Sequence, residues 1–571
     1  MPYPSHKEPT RPMTPRYLTD TFAIAPQLSI ADVADVARQG FRAIVCARPD
    51  GEERGQPTIK DMERAAAEAG LTFEAVPFAA GATPPQVDVD RLNVVLKGAG
   101  GPVLGYCRSG NRAAQLWALA QAGTLPTEDI LAAGHKAGVD LSPLVPLLKQ
   151  EAATGTTSHA SPGRRFDVVI VGGGAGGLSA AASLLRRRPR TTIAIVEPSD
   201  THYYQPGWTL VGGGVFKAQK TRMPEASVMP KNADWIRSTV THIDPDTREV
   251  IVADGGVLSY EVLIIAAGIT LDWGAIAGLP ETLGRNGVTS NYRYDLAPYT
   301  WELVEKVSHG NALFTQPPMP IKCAGAPQKA MYLACDAWRK RGVLDAINVE
   351  FDNAGGALFG VQAFVPALMN YVRDYGIALQ FHSKLVAVDG ERRIATFERT
   401  TGDKTERVEQ SFEMLHVVPP QIAPAFIRES GLGDASGFVA VDPGTLQHVT
   451  RQNVFAIGDS AGTSNAKTAA AVRKQAPVVA LNVAAALDGK PPVALYDGYG
   501  GCPLTVERGK IVLAEFGYGG KLMPTLPRWI LDGQHATRLA WFLKKDVMPP
   551  LYREMLRGHE FMVEPEKISR T

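Results

Sequence analysis

The sequence has few cysteines, almost no net charge and no long apolar run. Five cysteines in 571 residues are too few for the disulfide framework of a secreted protein, so we expect a reducing compartment in which any important thiol is reactive. Lys+Arg 59 against Asp+Glu 58 gives a formal charge of +1, which argues against a nucleic-acid partner because phosphate binding requires a basic face. No run of about 18 apolar residues occurs, so no segment is expected to span a bilayer.

The N-terminus also lacks the apolar core of a secretory signal, and residues 1–17 are too rich in proline for a transit peptide. With 45% hydrophobic and 20% charged residues, the chain is expected to fold, either as a soluble protein or on a membrane surface. At about 150 residues per domain, its length predicts three or four domains.

The first 152 residues alternate between strand-like and helical patterns, which predicts a parallel α/β sheet. Ser29 and Asp32 form a capping box that opens a helix, and strands are expected at 41–47, 73–78 and 102–107. The small polar stretch ATGTTSHASPGRR at 153–165 is typical of a linker.

A dinucleotide-binding fingerprint follows the linker. Gly172, Gly174 and Gly177 form G-x-G-x-x-G between an apolar strand and a small-residue helix. The first glycine permits the tight turn, the second lets backbone approach a pyrophosphate and the third lets the helix pack closely. Glu197 ends the next strand, where it can hold a ribose. The pattern predicts a bound dinucleotide, either NAD or FAD.

Two later stretches favour FAD. VLIIAAG ends at Gly268, and FAIGDSAG places Asp459 after another apolar strand. In this order the three elements resemble the two-dinucleotide-domain flavoprotein disulfide reductases. The resemblance implies FAD held by Gly172, Gly174, Gly177, Glu197, Gly268 and Asp459.

That superfamily usually carries a second glycine fingerprint for NAD(P)H in its middle domain. The expected location here is 347–364, but Gly355, Gly356 and Gly360 do not fall into G-x-G-x-x-G register. We therefore expect a degenerate nicotinamide site and an electron donor other than NADH.

Four further motifs narrow the resemblance. IKCAGAPQKAMYLACDAW (321–338), YDGYGGCPL (496–504), HYYQPGWTLVGGG (202–214) and NAKTAAAVRKQ (465–475) are similar to those of the sulfide:quinone oxidoreductases. Cys323 and Cys502 match the two redox cysteines of that family.

The resemblance implies a reaction. A disulfide or sulfur-bridged trisulfide between Cys323 and Cys502 offers an electrophilic sulfur to HS⁻. Cys502 would carry the persulfide, Cys323 would deliver the electron pair to the flavin, and a small thiol such as glutathione would remove the outer sulfur. Ubiquinone or menaquinone would accept the electrons. Without that family context, each cysteine would be read as a buried apolar thiol.

Other candidate residues carry weaker signals. Lys467 could stabilise reduced flavin or be a solvated surface lysine, and His202 could transfer protons or pack structurally. Cys46 and Cys335 are expected in the core. The histidines show no ligand spacing, so no metal is predicted.

The segment 521–558 has the composition of a membrane-surface element. Its apolar area comes from Trp529, Ile530, Leu531, Leu539, Trp541, Phe542 and Leu543. Its headgroup contacts are expected from Arg528, Arg538, Lys544, Lys545, Arg553 and Arg557. The alternative is an ordinary domain edge or dimer contact. In the family that the motifs resemble, this region meets the membrane and admits quinone.

A third reactive cysteine lies in the N-terminal region. Cys107 and Arg112 enclose four residues (108–111) between an apolar strand and a helix, so backbone N–H groups can surround an anion. Phosphatases that use cysteine have five residues at this place, whereas rhodanese-type sulfurtransferases have four. The stretch 25–53 is similar to a small bacterial family with a phosphatase-like fold that is associated with sulfur transfer. Asp50 could be a general acid. Phosphatase, inert and regulatory alternatives stay open.

The prediction is thus an FAD-dependent sulfide:quinone oxidoreductase fused to a sulfurtransferase, peripheral on the cytoplasmic face of a bacterial inner membrane. A homo-oligomer is one candidate assembly, and the oligomeric state stays open. The alternative is an NADH:quinone flavin reductase. The expected α/β organisation is a phosphatase-like domain (1–152), a linker (153–165), an FAD-binding domain (166–285 and 435–520), an NAD-like domain (286–434) and a membrane segment (521–571).

Overall fold

The structure is a computed structural model that describes residues 14–53, 55–79, 83–84, 86–122, 125–148, 164–464 and 467–568. The chain divides into two compact units: residues up to 163 together with Ala253–Gly256, and the remainder of the chain from Arg164 onward. Most of the predicted linker, 153–163, lies outside the described residues. Its last two residues, Arg164 and Arg165, begin the first strand of the second unit.

The first unit contains the predicted parallel α/β sheet. Its five strands lie in the spatial order Arg16–Thr19, Phe22–Ala25, Val103–Tyr106, Ala43–Cys46 and Thr72–Ala75. All neighbours are parallel except the first two strands, which form a hairpin. Its α-helices are Ile30–Arg38, Ile59–Glu68, Gln86–Gly98, Asn111–Gln121 and Thr127–Lys136.

Side chains along these strands point alternately to the two faces of the sheet, so the unit has two separate hydrophobic cores. Val45 and Val103 pack on one face of the sheet, whereas Ile44 and Leu104 pack on the other. A sheet covered on both faces needs nearly continuous apolar strands, as observed here. The capping box is confirmed: Ser29 accepts from the Asp32 N–H, and the Asp32 carboxylate accepts from the Ser29 N–H at 2.7 Å.

The second unit begins with a seven-stranded sheet. The spatial order is Ala233–Ile236, Ile193–Val196, Arg164–Val171, Val257–Ile265, Glu249–Val252 and Val240–Asp244, with Val454–Ala456 also paired to Val257–Ile265. The first four strands and Val454–Ala456 are parallel, and the last two are antiparallel. The helices Ala175–Arg187 and Ala469–Leu487 pack against each other on this sheet.

A second parallel sheet has the order Val288–Thr289, Met414–His416, Gly310–Gln316, Ile347–Asn353 and Ala378–Phe381. Its helices are Ala297–Lys306, Ala326–Arg341 and Val365–Asp374. An antiparallel sheet of Ser383–Asp389, Ile394–Thr401 and Lys404–Ser411 follows. The predicted α/β class with two Rossmann-like sheets is confirmed.

The sheet order corrects the predicted location of the nicotinamide fingerprint. Gly310–Gln316 is the strand at which the order reverses, since Ile347–Asn353 lies on one side and Met414–His416 on the other. Dinucleotides bind at the carboxyl end of such a strand. The equivalent turn is therefore 317–325, not 347–364, and this turn contains Cys323.

The remainder of the chain adds small elements. A hairpin of Gly500–Glu507 and Lys510–Phe516 pairs with Ala536–Thr537. One helical stretch follows, made of the α-helix Arg538–Phe542, a π-helical turn at Leu543–Val547 and the α-helix Met548–Leu556. Short strand pairs join Thr201–Tyr203 to Arg222–Pro224, Thr270–Leu271 to Gln421–Ile422, and Ala494–Leu495 to Glu566–Lys567. Short α-helices span Trp208–Gly212, Leu279–Thr282 and Ala425–Glu429. Within the described ranges, no helix has the length and apolarity needed to cross a membrane.

Candidate functional site

Close approach of neighbouring backbone requires two glycines of the fingerprint, Gly172 and Gly177, whereas the space around Gly174 is open. Gly172 has φ +104°, and a Cβ there would lie 2.5 Å from the Ala266 carbonyl oxygen. A Cβ at Gly177 would lie 1.9 Å from the Gly172 oxygen, whereas no atom lies within 4 Å of one at Gly174. This turn can therefore receive the pyrophosphate of a dinucleotide at the N-terminus of the helix Ala175–Arg187.

The other predicted cofactor residues lie around the same sheet edge. Glu197 accepts hydrogen bonds from the backbone N–H groups of Gly173 and Ser199, both at 2.8 Å. Burial raises the pKa of Glu197 despite these two bonds. Gly268 has φ +77° and donates its N–H to Ser460 Oγ at 2.8 Å. This arrangement fits an FAD whose adenosine ribose meets Glu197.

Asp459 and Lys467 lie close together. Burial raises the pKa of the Asp459 carboxyl, and the charges on Lys322 and Lys467 oppose that rise. Lys467 Nζ donates to the carbonyl oxygens of Asp459 and Ala461, both at 2.8 Å, and burial lowers its pKa to about 8. Its interpretation as a solvated surface lysine is wrong, because the side chain is fixed inside the loop that follows Val454–Ala456.

The structure brings together the two cysteines of the predicted redox pair. Cys323 precedes the helix Ala326–Arg341 in a left-handed conformation, φ +48°, and its N–H donates to the Lys467 carbonyl at 2.9 Å. Cys502 lies buried in the strand Gly500–Glu507. A Cβ at Gly325 would lie 2.5 Å from Cys502 Sγ, so a glycine is needed where the strand meets the turn. Both sulfurs are free thiols here.

The two thiols have opposite protonation preferences. The pKa of Cys323 lies well below its usual range, first because Cys502 donates its S–H to Cys323 and then because Lys329 and Lys544 carry positive charge nearby. The same hydrogen bond, together with burial, raises the pKa of Cys502. Cys323 is therefore the thiolate of the pair.

Two lysines beside the thiol pair are further functional candidates: sequence reasoning missed Lys329 and assigned Lys544 to lipid headgroups. Lys329, 2% exposed, donates to Cys323 Sγ at 3.3 Å; burial opposes its charge, but the two sulfurs raise its pKa above the usual value. Lys544 donates to the Pro206 carbonyl at 2.9 Å. Burial, with the repulsion of Lys329, lowers its pKa to about 7. The sequence signal for Lys329 was a single lysine within the largely apolar stretch 324–335 that follows Cys323.

The C-terminal prediction needs two corrections. Lys544 does not face lipid headgroups, because it is buried beside the thiol pair. Leu531 is buried in a small core with Ile511 and Leu513 of the hairpin, so it adds no exposed apolar area. Trp541 and Leu543 pack partly against that core. Of the apolar residues predicted to meet the membrane, four have exposed side chains: Trp529, Ile530, Leu539 and Phe542.

Three other sequence candidates lie in the interior. Cys46 and Cys335 are buried, as predicted for core residues, and burial raises the pKa of both. His202 is also buried, with Nδ1 3.1 Å from Glu225 Oε2 and Nε2 2.8 Å from Tyr552 Oη. Its packing is consistent with the structural interpretation, and neither of its ring nitrogens bonds a sulfur.

In the first unit, Cys107 and Arg112 form a compact cup. Cys107 follows Val103–Tyr106, and its Sγ accepts the Gly110 N–H at 3.2 Å. Gly110 has φ +92° and directly precedes the helix Asn111–Gln121. The Arg112 guanidinium lies near the Cys107 sulfur, which contributes to the raised pKa of Arg112. The loop thus combines a buried sulfur, a helix N-terminus and a guanidinium.

Glu52, which sequence reasoning missed, holds that guanidinium. Its Oε1 and Oε2 accept from Arg112 Nη1 and Nη2 at 2.7 and 2.6 Å, and this bond lowers the pKa of Glu52 to about 2. Arg112 Nη1 also donates to the Phe78 carbonyl at 2.7 Å. Asp50, the candidate general acid, is exposed and accepts the Ile59 N–H at 2.8 Å, which caps the next helix.

Comparisons with known proteins match both units. Residues 15–124 match the phosphatase-like domain of the beta-lactamase hydrolase-like protein, and residues 166–476 match the pyridine nucleotide-disulphide oxidoreductase family. The beta-lactamase hydrolase-like protein of Agrobacterium fabrum is 35% identical over 138 residues, which covers 24% of this chain and 32% of that protein.

The second unit has longer matches. The crystal structure of the sulfide:quinone oxidoreductase from Aquifex aeolicus has the same fold, with TM-score 0.59, 18% identity and coverage of 71% of this chain and 98% of that one. The mitochondrial sulfide:quinone oxidoreductase of Dictyostelium discoideum is 42% identical over 372 residues, covering 65% of this chain and 81% of that protein. The chain belongs to the sulfide:quinone oxidoreductases, FAD-dependent flavoenzymes of the pyridine nucleotide-disulphide oxidoreductase family.

Proposed function

We propose that the second unit oxidises sulfide to sulfane sulfur and passes two electrons to a membrane quinone, ubiquinone or menaquinone. The observation that carries this proposal is the Cys323–Cys502 pair with Lys329 bonded to it. A thiolate beside a protonated thiol is the reduced form of a disulfide that can be opened and closed repeatedly.

The residues perform the reaction in three steps. HS⁻ attacks the Cys502 sulfur of the oxidised pair, so the S–S bond breaks, Cys502 becomes a persulfide and Cys323 leaves as a thiolate. Lys329 stabilises that thiolate. A small thiolate such as that of glutathione then takes the outer sulfur and leaves Cys502 as a thiolate. FAD, when bound, supplies the two-electron acceptor that lets the pair reoxidise.

The turn occupied by Cys323 accounts for the expected loss of NADH as donor. A nicotinamide dinucleotide would place its pyrophosphate where the chain instead positions Cys323, with φ +48°. Pro327 lies in the first turn of the helix Ala326–Arg341 that follows. The NAD-like sheet at 286–434 is thus proposed to build the sulfur site.

An anaerobic mixing experiment tests this function against the NADH:quinone alternative. With glutathione present as the acceptor thiol, sulfide at micromolar concentration should bleach the flavin absorbance, and NADH at the same concentration should not. Cys323→Ser should abolish sulfide bleaching, whereas Cys335→Ser, a buried control on the helix that follows Cys323, should retain it. Bleaching by NADH, or full sulfide bleaching in Cys323→Ser, would refute the proposal.

We further propose that the enzyme lies on the cytoplasmic face of a bacterial inner membrane. Trp529 is 86% exposed and Phe542 51% exposed, and Arg528, Arg538 and Arg553 present cations on the same segment. Exposed aromatic side chains beside arginines suit an interfacial helix. Quinone would enter from the lipid.

For the first unit, we propose transfer of sulfane sulfur through Cys107. The supporting observation is the four-residue loop that closes around Cys107 with Gly110 and Arg112. The full chain carrying Cys323→Ser, which removes the other activity, should transfer sulfur from thiosulfate or glutathione persulfide, and adding Cys107→Ser should abolish transfer. Hydrolysis of a phosphate ester instead would identify a phosphatase, and no activity would favour a regulatory unit.

A further inference from the structure

Glu225 is a buried carboxylate with one unused oxygen. Its side chain is only 2% exposed, and Oε2 lies 3.1 Å from His202 Nδ1. Oε1 has no hydrogen-bond partner. A buried acceptor left unpaired is destabilising, and a charged one more so, so this oxygen is expected to meet a donor that arrives with a ligand.

The unused oxygen faces the turn of the dinucleotide fingerprint. A Cβ at Gly173 would lie 3.0 Å from Glu225 Oε1 and 2.7 Å from Glu197 Cβ. Two carboxylates therefore flank the same turn, and the charge on Glu225 contributes to the raised pKa of Glu197. Both Glu197 oxygens already accept hydrogen bonds from backbone N–H groups, whereas Glu225 Oε1 accepts no hydrogen bond within the protein.

We propose that Glu225 Oε1 accepts a hydrogen bond from a ribose hydroxyl in the adenosine half of FAD. The ribose offers two neighbouring hydroxyl donors at the end of the strand Ile193–Val196, and two carboxylates are present to receive them. Glu197 takes one hydroxyl, the position expected from the sequence, and Glu225 takes the other. The contact satisfies the only unpaired oxygen of the buried carboxylate.

The other carboxylate oxygen of Glu225, Oε2, is connected through His202 to a residue of the helix Met548–Leu556. His202 Nδ1–H donates to Glu225 Oε2, and Tyr552 donates its O–H to His202 Nε2 at 2.8 Å. Tyr552 belongs to the helix Met548–Leu556, and its ring packs on Tyr204 with centroids 4.8 Å apart. FAD bound to Glu225 therefore stabilises the docked position of this helix, and docking strengthens FAD binding by the same factor.

Binding of FAD and of two analogues that lack the 2′- or the 3′-hydroxyl of the adenosine ribose tests the contact. Dissociation constants are measured by flavin fluorescence on deflavinated full-length protein. In Glu225→Gln the amide oxygen keeps the His202 bond and the amide nitrogen replaces Oε1, so FAD affinity should fall about tenfold. Glu305→Gln, an exposed control, should not change it.

The analogues identify the partner atom. Wild-type protein should lose affinity for the analogue without the contacted hydroxyl, and Glu225→Gln should bind that analogue no more weakly than it binds FAD. The wild-type measurement does not depend on whether a variant folds. Wild-type affinity unchanged for both analogues, or equal losses in wild type and Glu225→Gln, would overturn the contact.

Limited trypsin digestion tests the coupling. Cleavage after Lys545 and Arg553 should be slower in the holoprotein than after FAD removal. In Tyr552→Phe this protection should be lost and FAD should dissociate several-fold faster, whereas Tyr371→Phe should behave as wild type. Digestion that is insensitive to FAD in the wild type would overturn the coupling.

Discussion

At the residue scale, the active thiol pair depends on one buried lysine. Lys329 lies on the first turns of the helix Ala326–Arg341, six residues after Cys323, so its Nζ returns to the sulfur at 3.3 Å. A buried cation without a partner would be expelled or neutralised. The two sulfurs raise its pKa, so the lysine and the thiolate of Cys323 stabilise each other.

Replacing Lys329 by Met should raise the pKa of Cys323, because the cation beside the thiolate is removed while burial remains. Alkylation of Cys323 by iodoacetamide in the reduced protein should slow roughly tenfold near neutral pH, and the midpoint of its pH profile should move upward. Lys340→Met, on the exposed end of the same helix, serves as control. An unchanged profile would show that Lys329 does not set the protonation of the pair.

At the element scale, the glycine-rich turn explains how a strand and a helix create a phosphate site. The helix Ala175–Arg187 can approach Arg164–Val171 closely only because position 177 carries no Cβ. Such contacts between neighbouring elements can be predicted from the sequence, because the glycine spacing and the local secondary structure determine them. The strand order of the second sheet cannot be predicted in the same way, because it depends on the pairing of Gly310–Gln316 with a distant strand, Met414–His416. That is why the nicotinamide position was predicted one strand too late.

Gly177→Ala should therefore weaken FAD retention. The added methyl would lie 1.9 Å from the Gly172 oxygen, so the turn or the helix must shift at a cost of about 1–3 kcal/mol. The flavin content of purified protein should fall, and the unfolding temperature should fall with it. Gly360→Ala, where no atom lies within 4 Å of the new Cβ, should keep both, and a Gly177→Ala protein with full flavin would contradict this role of the turn.

At the scale of the whole molecule, residues far apart in sequence converge on one sulfur site. Cys323 follows one Rossmann-like sheet, Cys502 lies in a hairpin near the C-terminus, and Lys544 comes from the helical stretch beyond it. The sequence identified both cysteines because their motifs are local. It could not place Lys544, since an amphipathic segment has the same composition whether a given lysine faces lipid or turns inward.

The exposed part of the same segment should bind membranes. Replacing Trp529 and Phe542 by Ser should reduce sedimentation with vesicles that contain anionic lipid by tenfold or more, because each aromatic side chain contributes roughly 1.5–3 kcal/mol when buried. Anaerobic bleaching of the flavin by sulfide should be unchanged, since neither side chain contacts the thiol pair. Equal vesicle binding by the double variant would refute the membrane face.

The most direct test of the account is to locate the sulfur after a single turnover. Oxidised protein is mixed anaerobically with one equivalent of sulfide without an acceptor thiol, trapped by alkylation and analysed by peptide mass spectrometry. We expect one additional sulfur atom on the peptide that carries Cys502 and none on those that carry Cys323 or Cys335. Flavin reduction with no sulfur on Cys502, or with the sulfur on another cysteine, would contradict it.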